Sequence, residues 1–355
     1  MIENLRLQHF RSYNDTTFEF GDKVNIIVGP NAIGKTNLIE AILVVARGSS
    51  YRVADSELLR HGQEWFRLDG GLAGGETRVV KLQTSPRLVK SYEINHKPYK
   101  RLLANHTIPV VLFEPNHLQL LHGAPDARRQ YLDDLLEQTI PAYASFRRNY
   151  KRVLSQRNSL LKRARTPTTQ ELFPWDIRLG ELGAVIARER SKLVEQLSQA
   201  VTTTYKVLSG TDTAVTLRYK HYFPIETYES NLLHKLTSHL DADSARGFTT
   251  FGPHREDFEV YFNDSPAELV ASRGETRTVI LGLKIAELQL LTALRDTPPL
   301  LLLDDVFSEL DGARRQALTK YLKNYQTFLT TTDADVVIQH FMSHATIIPI
   351  QDQED

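Results

Sequence analysis

The stretch GPNAIGKT at 29–36 constrains the fold more than any other part of the chain, because of what flanks it. Before it stands the apolar run NIIV at 25–28, short enough for a buried strand, and after it NLIEAILVV repeats its apolar residues at helical spacing. Strand, glycine-framed turn and helix in that order satisfy G-x-x-x-x-G-K-[ST], with Gly29, Gly34, Lys35 and Thr36 at the fixed positions. Such a loop aims backbone N–H groups at a phosphate chain, and the helix N-terminus adds positive partial charge. Lys35 is expected to reach the β and γ phosphates of ATP, and the Thr36 hydroxyl to ligate the accompanying Mg²⁺. Asn31 and Asn37 are further candidates for the same nucleotide. The competing reading is a tight strand-to-helix turn, against which the flanking strand and helix argue.

A phosphate loop needs a distal acid, and LLLLDDVFSELD at 300–311 supplies it. Four leucines make a buried strand that delivers Asp304 and Asp305 to a sheet edge, Asp304 to hold Mg²⁺ through water and Asp305 to polarise the attacking water. Lys35 and Asp304 stand about 270 positions apart, so a large insertion separates them. Motifs at both ends of a helical insertion resemble the ABC-type ATPase heads of the SMC and Rad50 class. Such heads carry a serine and a glycine opening a helix shortly before the acid, and ASRGETRTVILGL fits, with Ser272 as N-cap, Gly274 permitting close approach and Glu275 in the first turn.

Alternating patterns before the loop predict two strands leading into a buried third, and RLDGGLAGGETRVVKLQTS with KSYEINHKPYK predicts antiparallel strands joined at glycine turns. From Asp126 the spacing turns helical, predicting a two- or three-helix arm, before strand patterns return at AVTLRYKHYF and FEVYFN. The expected fold class is therefore α/β, an ABC-type head of mixed sheets at 1–125 and 246–355 with a helical insertion at 126–245. The 43 basic and 43 acidic residues cancel, so net charge gives no support for a nucleic-acid partner, but RRNYKRVLSQRNSLLKRAR at 147–165 holds eight cations and no acid. Arg147, Arg148, Lys151, Arg152 and Arg157 are candidates for duplex phosphate contacts independent of sequence, the alternative being a solvated arm face. The absence of cysteine excludes disulfides, thiolate zinc sites and cysteine nucleophiles. No run approaches the length of a membrane span and no signal peptide opens the chain, so the expected location is cytoplasmic, at the nucleoid, with no membrane partner.

Over essentially its whole length the chain resembles the RecF family of bacterial recombination mediators. The residues that carry the likeness are LRLQHFRSY, GPNAIGKTNLIEAI, GSSYR, GAPDARRQYLD, RRNYKRVLSQRNSLL, PWD, FGPHRED, ASRGET and LLLLDDVFSELD, of which Gly-Pro-His-Arg with SQRNSLL is the most specific. The resemblance implies an ATP-dependent homodimer in which ATP on Lys35 and Thr36 of one copy is closed by Ser272 and Gly274 of the other, with Asp311 facing the other copy. It implies slow ATP hydrolysis, binding of double-stranded DNA near single-strand gaps, and preparation of a site for RecA loading in company with RecR and RecO. Arg11 and Arg52 become candidates for nucleotide contact, or else a surface ion pair. An ATPase subunit serving a nuclease, as in Rad50-like or OLD-like systems, is the alternative of a different class. Departures from the family pattern are Asn116 and His117 where acids are usual, leaving Gln119 as a weak coupling candidate, and Ala32 where many ABC proteins have glycine. Asp333 stands at the switch position, either as γ-phosphate sensor or as a simple strand end.

Overall fold

The structure, a computed structural model, describes residues 1–163, 167–332 and 345–351. Its contacts divide the chain into two compact units, 1–118 with 287–355, and 119–286. The first unit opens with β1 (Ile2–Phe10), β2 (Tyr13–Glu19) and β3 (Val24–Val28), followed by α1 (Lys35–Arg47). Next come β4 (Trp65–Leu72), β5 (Thr77–Gln83), β6 (Val89–Ile94), β7 (Lys97–Tyr99) and β8 (Val110–Phe113). The β4–β5 hairpin turns through Gly74 and Gly75, both at φ near +80°, where a side chain would be strained, so the glycine signal in the sequence was a turn requirement.

The second unit begins with three helices, α2 (Pro125–Thr139), α3 (Tyr143–Leu161) and the 41-residue α4 (Thr169–Ser209). Thr168 and Glu171 close a reciprocal capping box that starts α4, and Gly210 in the left-handed region ends it. Then follow β9 (Val215–Lys220), α5 (Tyr228–Ser238), α6 (Leu240–Arg246), β10 (Asp257–Phe262), β11 (Ser265–Pro266), α7 (Ala267–Val270) and α8 (Arg273–Leu294), whose residues from Glu287 on count with the first unit. Strands β11, β10 and β9 form a sheet of their own, with Val260 opposite Leu217. The returning strand signals therefore mark a separate small sheet packed with the helices. By its contacts the compact unit spans 119–286 and contains the 126–245 insertion expected from the sequence.

The chain completes the first unit with β12 (Leu300–Leu303), α9 (Gly312–Leu322), β13 (Thr327–Thr331) and β14 (Ala345–Pro349). Two sheets result: an antiparallel one ordered β2-β1-β4-β5-β6-β7 and a fully parallel one ordered β14-β3-β13-β12-β8. All four residues of β12 are buried, as a strand covered on both faces requires. Helix α1 buries Leu38, Ile39, Ile42 and Val45 in one core with Leu5, Leu7, Phe66 and Leu68 of the antiparallel sheet and Ile27, Leu302 and Phe328 of the parallel one. Strand order is what matters for function. Placing β13 between β3 and β12 sets the loop after β3 and the acids after β12 on the same sheet edge, one strand apart.

Candidate nucleotide site

The loop leaves β3 at Val28 and enters α1 at Lys35. Gly34 sits at φ +113°, and a Cβ there would lie 2.7 Å from Ser12 Oγ and 3.2 Å from the Tyr13 hydroxyl oxygen, so glycine is required on both conformational and steric grounds. The Tyr13 hydroxyl donates to the Gly34 carbonyl at 3.0 Å, pinning the loop's end to the antiparallel sheet. Ala32, which stands where many ABC proteins carry glycine, is held at φ +66°, a left-handed conformation that costs a non-glycine residue about 1 kcal/mol. Lys35 is 4% exposed, and its ammonium donates to the Gly29 and Pro30 carbonyls, both at 2.8 Å. A cavity of about 260 Å³ opens over the loop, lined by Asn31, Ala32, Gly34, Lys35, Thr36, Asn37, Arg52 and Asp305.

The acid side arrives on β12. Asp304 Oδ1 accepts from the Thr36 hydroxyl at 2.9 Å and from the Thr330 hydroxyl at 2.9 Å, and its Oδ2 lies 3.4 Å from the Tyr51 hydroxyl. Burial pushes the Asp304 carboxyl up from its ordinary value, and the two threonine hydroxyls only partly offset that. Thr330 also accepts from the backbone N–H of Asp305 at 2.8 Å; Asp305 sits in the left-handed region at φ +52° and lines the cavity. Thr330, on the strand between the loop and the acids, was missed in the sequence. Its strand, TFLTT, carries three threonines, and nothing local marks Thr330 among them.

The fit to Mg²⁺ can be tested on the donors themselves. A hydroxyl and a carboxylate oxygen 2.9 Å apart are hard oxygen ligands of the kind Mg²⁺ takes alongside phosphate and water, and a cation would relieve the cost of Asp304's buried charge. The residues fit the metal.

Glu40, on α1 one turn beyond Thr36, is a second residue that sequence reasoning missed. Its fully buried carboxylate accepts from Arg11 Nε at 2.8 Å and Nη2 at 3.2 Å, from the Ser50 hydroxyl at 2.5 Å and from Arg52 Nη2 at 3.3 Å. Burial alone would push its carboxyl up, but these donors outweigh it and hold the group below its ordinary value. Arg11 also donates to the Glu57 carbonyl at 2.8 Å, and the cavity's lining includes Arg52 but not Arg11. The two arginines proposed together thus separate. Arg52 faces the cavity, whereas Arg11 is a part-buried structural cation, the ion-pair alternative. Asn37 links to Ser12 Oγ at 3.0 Å and to Arg52 at 3.4 Å.

In the second unit Ser272 caps α8 as expected, in a reciprocal box: its hydroxyl accepts from the Glu275 N–H at 3.3 Å while Glu275 accepts from the Ser272 N–H at 2.8 Å and hydroxyl at 2.7 Å. Gly274 lies in the first turn, its carbonyl accepting from Thr278 at 2.9 Å. In the first unit Asp311 caps α9, accepting from the Arg314 N–H at 3.0 Å and pairing with its guanidinium. His117 is used locally, its Nδ1 accepting from the Glu114 N–H at 3.1 Å. Asp333 lies outside the described residues, as does Arg165 of the basic stretch.

The basic stretch divides. Arg148, Lys151 and Arg152 are exposed on α3. Arg157 is not a candidate for DNA: its guanidinium is fully buried, donating to Asp176 at 2.6 Å, Asp243 at 2.6 Å, Thr249 at 2.9 Å and the Leu236 carbonyl at 3.2 Å. Arg147 is likewise spent on Asp133 at 3.0 Å and Glu137 at 2.8 Å. Both corrections have one cause. The acids come from α2, α4 and α6, distant enough in sequence that the stretch read as uncompensated. The Gly-Pro-His-Arg segment is also structural here, His254 Nδ1 meeting the Tyr150 hydroxyl at 2.8 Å and the Pro253 carbonyl accepting from Arg190 at 2.6 Å.

A phosphate loop and a buried acid brought together across one strand of a parallel sheet, with an antiparallel sheet over the same helix, define an ATPase of the SMC-head type. A solved Smc head bound to the C-terminal winged-helix domain of ScpA shares that fold, with a TM-score of 0.55 at 18% identity. Residues 4–161 match the family model described as an AAA domain. The chain is 35% identical to the DNA replication and repair protein RecF of Heliobacterium modesticaldum, covering 99% of this chain and 97% of that one. It is 31% identical to RecF of a Picosynechococcus species over 98% and 95% of the two chains. A solved recombination mediator RecF with an ATP analogue, of the RecFOR pathway, superposes with a TM-score of 0.89 at 28% identity, covering 99% of this chain and 96% of that one. The chain belongs to the RecF family of DNA replication and repair proteins.

Proposed function

We propose that this chain is an ATP-gated DNA clamp. ATP joins two copies, the closed pair holds duplex DNA beside a single-strand gap, and slow hydrolysis releases it, leaving a site prepared for RecA in company with RecR and RecO. The observation that carries the reading is the 2.9 Å contact between the Thr36 hydroxyl and the Asp304 carboxylate, made across 268 positions of sequence.

Lys35 rests on two neutral carbonyls, so anionic phosphate oxygens offer its ammonium stronger, charge-assisted acceptors. Mg²⁺, held by Thr36 and through water by Asp304, would supply neutralisation of phosphate charge. Asp305, fixed by Thr330, orients and polarises the attacking water. Asn31, Asn37 and Arg52 line the phosphate cavity, and the Ser272–Gly274 turn of a second copy closes it, with Asp311 facing that copy. DNA phosphates meet Arg148, Lys151 and Arg152 on α3, an electrostatic contact that weakens steeply with salt.

The test is fluorescence anisotropy of a labelled gapped duplex with ATP, with ADP and without nucleotide. Tighter binding with ATP alone, lost in Lys35→Ala, is the expected result. Replacing Arg148, Lys151 and Arg152 together with alanine should weaken binding and flatten its salt dependence by up to about three phosphate contacts. Binding indifferent to nucleotide in the wild type would refute the gate.

A further inference from the structure

Among the described residues Arg52 is the one arginine in the lining of the phosphate cavity, and nothing in the motif explains what sets it there. Its guanidinium stands 5.6 Å from the centre of the Tyr51 ring. Arg52 Nη2 donates to Glu40 Oε2 at 3.3 Å and to Asn37 Oδ1 at 3.4 Å, both long for charge-assisted bonds. Glu40 differs in kind. It is wholly buried and takes its short bonds elsewhere, 2.8 Å from Arg11 Nε and 2.5 Å from the Ser50 hydroxyl. Ser50 Oγ in turn accepts from the N–H of Arg52 at 3.1 Å and of Val53 at 3.3 Å, which fixes the backbone that carries Arg52.

We infer that Glu40 is a positioning residue for nucleotide binding: with Arg11 as its permanent counter-ion, it holds the Ser50–Arg52 segment and parks the Arg52 guanidinium at the mouth of the phosphate cavity. This deepens the proposed function and rests on the loop being a nucleotide site. The division of labour between the arginines follows from satisfaction. If Arg52 moves from Glu40 to a phosphate oxygen, Glu40 keeps three donors from Arg11 and Ser50, so no buried charge is stranded. Were Arg11 absent, the same movement would leave a buried carboxylate with a single hydroxyl, and Arg52 would be held back. Arg11 is thus what makes Arg52 transferable. The bidentate hold on Arg11 and the looser, single contact to Arg52 are the geometry expected of a fixed cation beside a mobile one.

Replacing Glu40 by glutamine leaves two guanidinium groups about a neutral amide. Their repulsion and the lost acceptor release Arg52 from the cavity mouth. The effect on nucleotide must therefore vanish when Arg52 is already gone, whereas a purely structural role for Glu40 would persist. The experiment is calorimetric titration of MgATP into wild type, Glu40→Gln, Arg52→Ala and the double variant, with thermal melts of each.

The expected result is a rise in Kd of about tenfold for each single variant, with the double variant no weaker than Arg52→Ala, which is about 1.4 kcal/mol of coupling. The loss of melting temperature caused by Glu40→Gln should meanwhile be similar in both backgrounds. Additive losses of affinity, or an affinity unchanged in Glu40→Gln, would overturn the inference. Should Glu40→Gln not fold, Glu40→Asp keeps the buried charge but draws the carboxylate back by one methylene from both guanidinium groups, and the same cycle decides the matter. Failure of the underlying reading looks different: wild type would not bind MgATP, or Lys35→Ala would bind it equally well.

Discussion

Replacing Asp304 by asparagine should make the unliganded protein more stable and the nucleotide-bound protein less stable, so that the order of the two proteins inverts on adding MgATP. Asp304 is 5% exposed and its carboxyl is pushed up by burial, so at neutral pH its ionised form burdens the folded state. Asparagine keeps an oxygen for the Thr36 and Thr330 hydroxyls while removing the charge, a change worth about 1 kcal/mol in favour of folding. The sign with pH follows from the direction of the shift. A carboxyl whose folded-state value lies above its unfolded one costs stability progressively as pH rises through the folded value, so the variant's advantage is full above that value and narrows as pH falls toward 3.8. With ligand the balance reverses. Nucleotide and metal at about a hundred times Kd stabilise the wild type by about 2.7 kcal/mol, and the variant forfeits the metal's part of that. The assay is urea unfolding followed by Trp65 fluorescence in a Trp175→Phe background, so that the signal belongs to the first unit, with and without MgATP. An asparagine variant less stable than wild type without ligand would refute the claim that Asp304 is a charge awaiting a cation.

The same geometry makes other changes separable. Arg157→Ala strands Asp176 and Asp243 in the interior and should cost about 3–5 kcal/mol in denaturant unfolding, whereas Arg152→Ala, exposed on the same helix, should cost within about 0.5 kcal/mol and lower DNA affinity instead. Thr330→Val keeps shape but removes the hydroxyl shared by the two acids. ATP binding should persist while steady-state hydrolysis falls about tenfold or more, and unchanged hydrolysis would show that Asp305 needs no such tether. His254, whose imidazole burial pushes down to about 4, must be neutral in the fold, so stability present above pH 6.5 should be lost as pH falls toward 4, by up to about 3 kcal/mol. In His254→Gln that slope of stability on pH should largely disappear.

The phosphate loop, the paired acids and the cap at Ser272 were legible because each depends on a few adjacent residues whose types satisfy a local demand: a left-handed glycine at Gly34, a strand of leucines ending in carboxylates, a serine facing a glutamate three positions on. The first three strands and the β4–β5 hairpin were legible for the same reason. What the sequence hid is whatever depends on partners remote in the chain. Thr330 looks like any strand threonine until β13 is seen to lie between β3 and β12. Glu40 falls on the buried side of an apolar helix, and only the folding of Arg11, Ser50 and Arg52 around it accounts for a carboxylate there. The basic stretch misled in the opposite direction, since Arg157 and Arg147 find their acids on other helices. That β9 and β10 pair with each other in a sheet of their own was hidden too, since strand periodicity does not encode the choice of partner.

The central claim is that ATP joins two copies through a site each copy half supplies. Sedimentation velocity of the wild type and Ser272→Arg, each with ATP, with ADP and without nucleotide, tests it most directly. A shift from monomer to dimer for the wild type with ATP alone, absent in Ser272→Arg, is the predicted result. A wild type that stays monomeric with saturating ATP, or a Ser272→Arg variant that dimerises as readily, would contradict it.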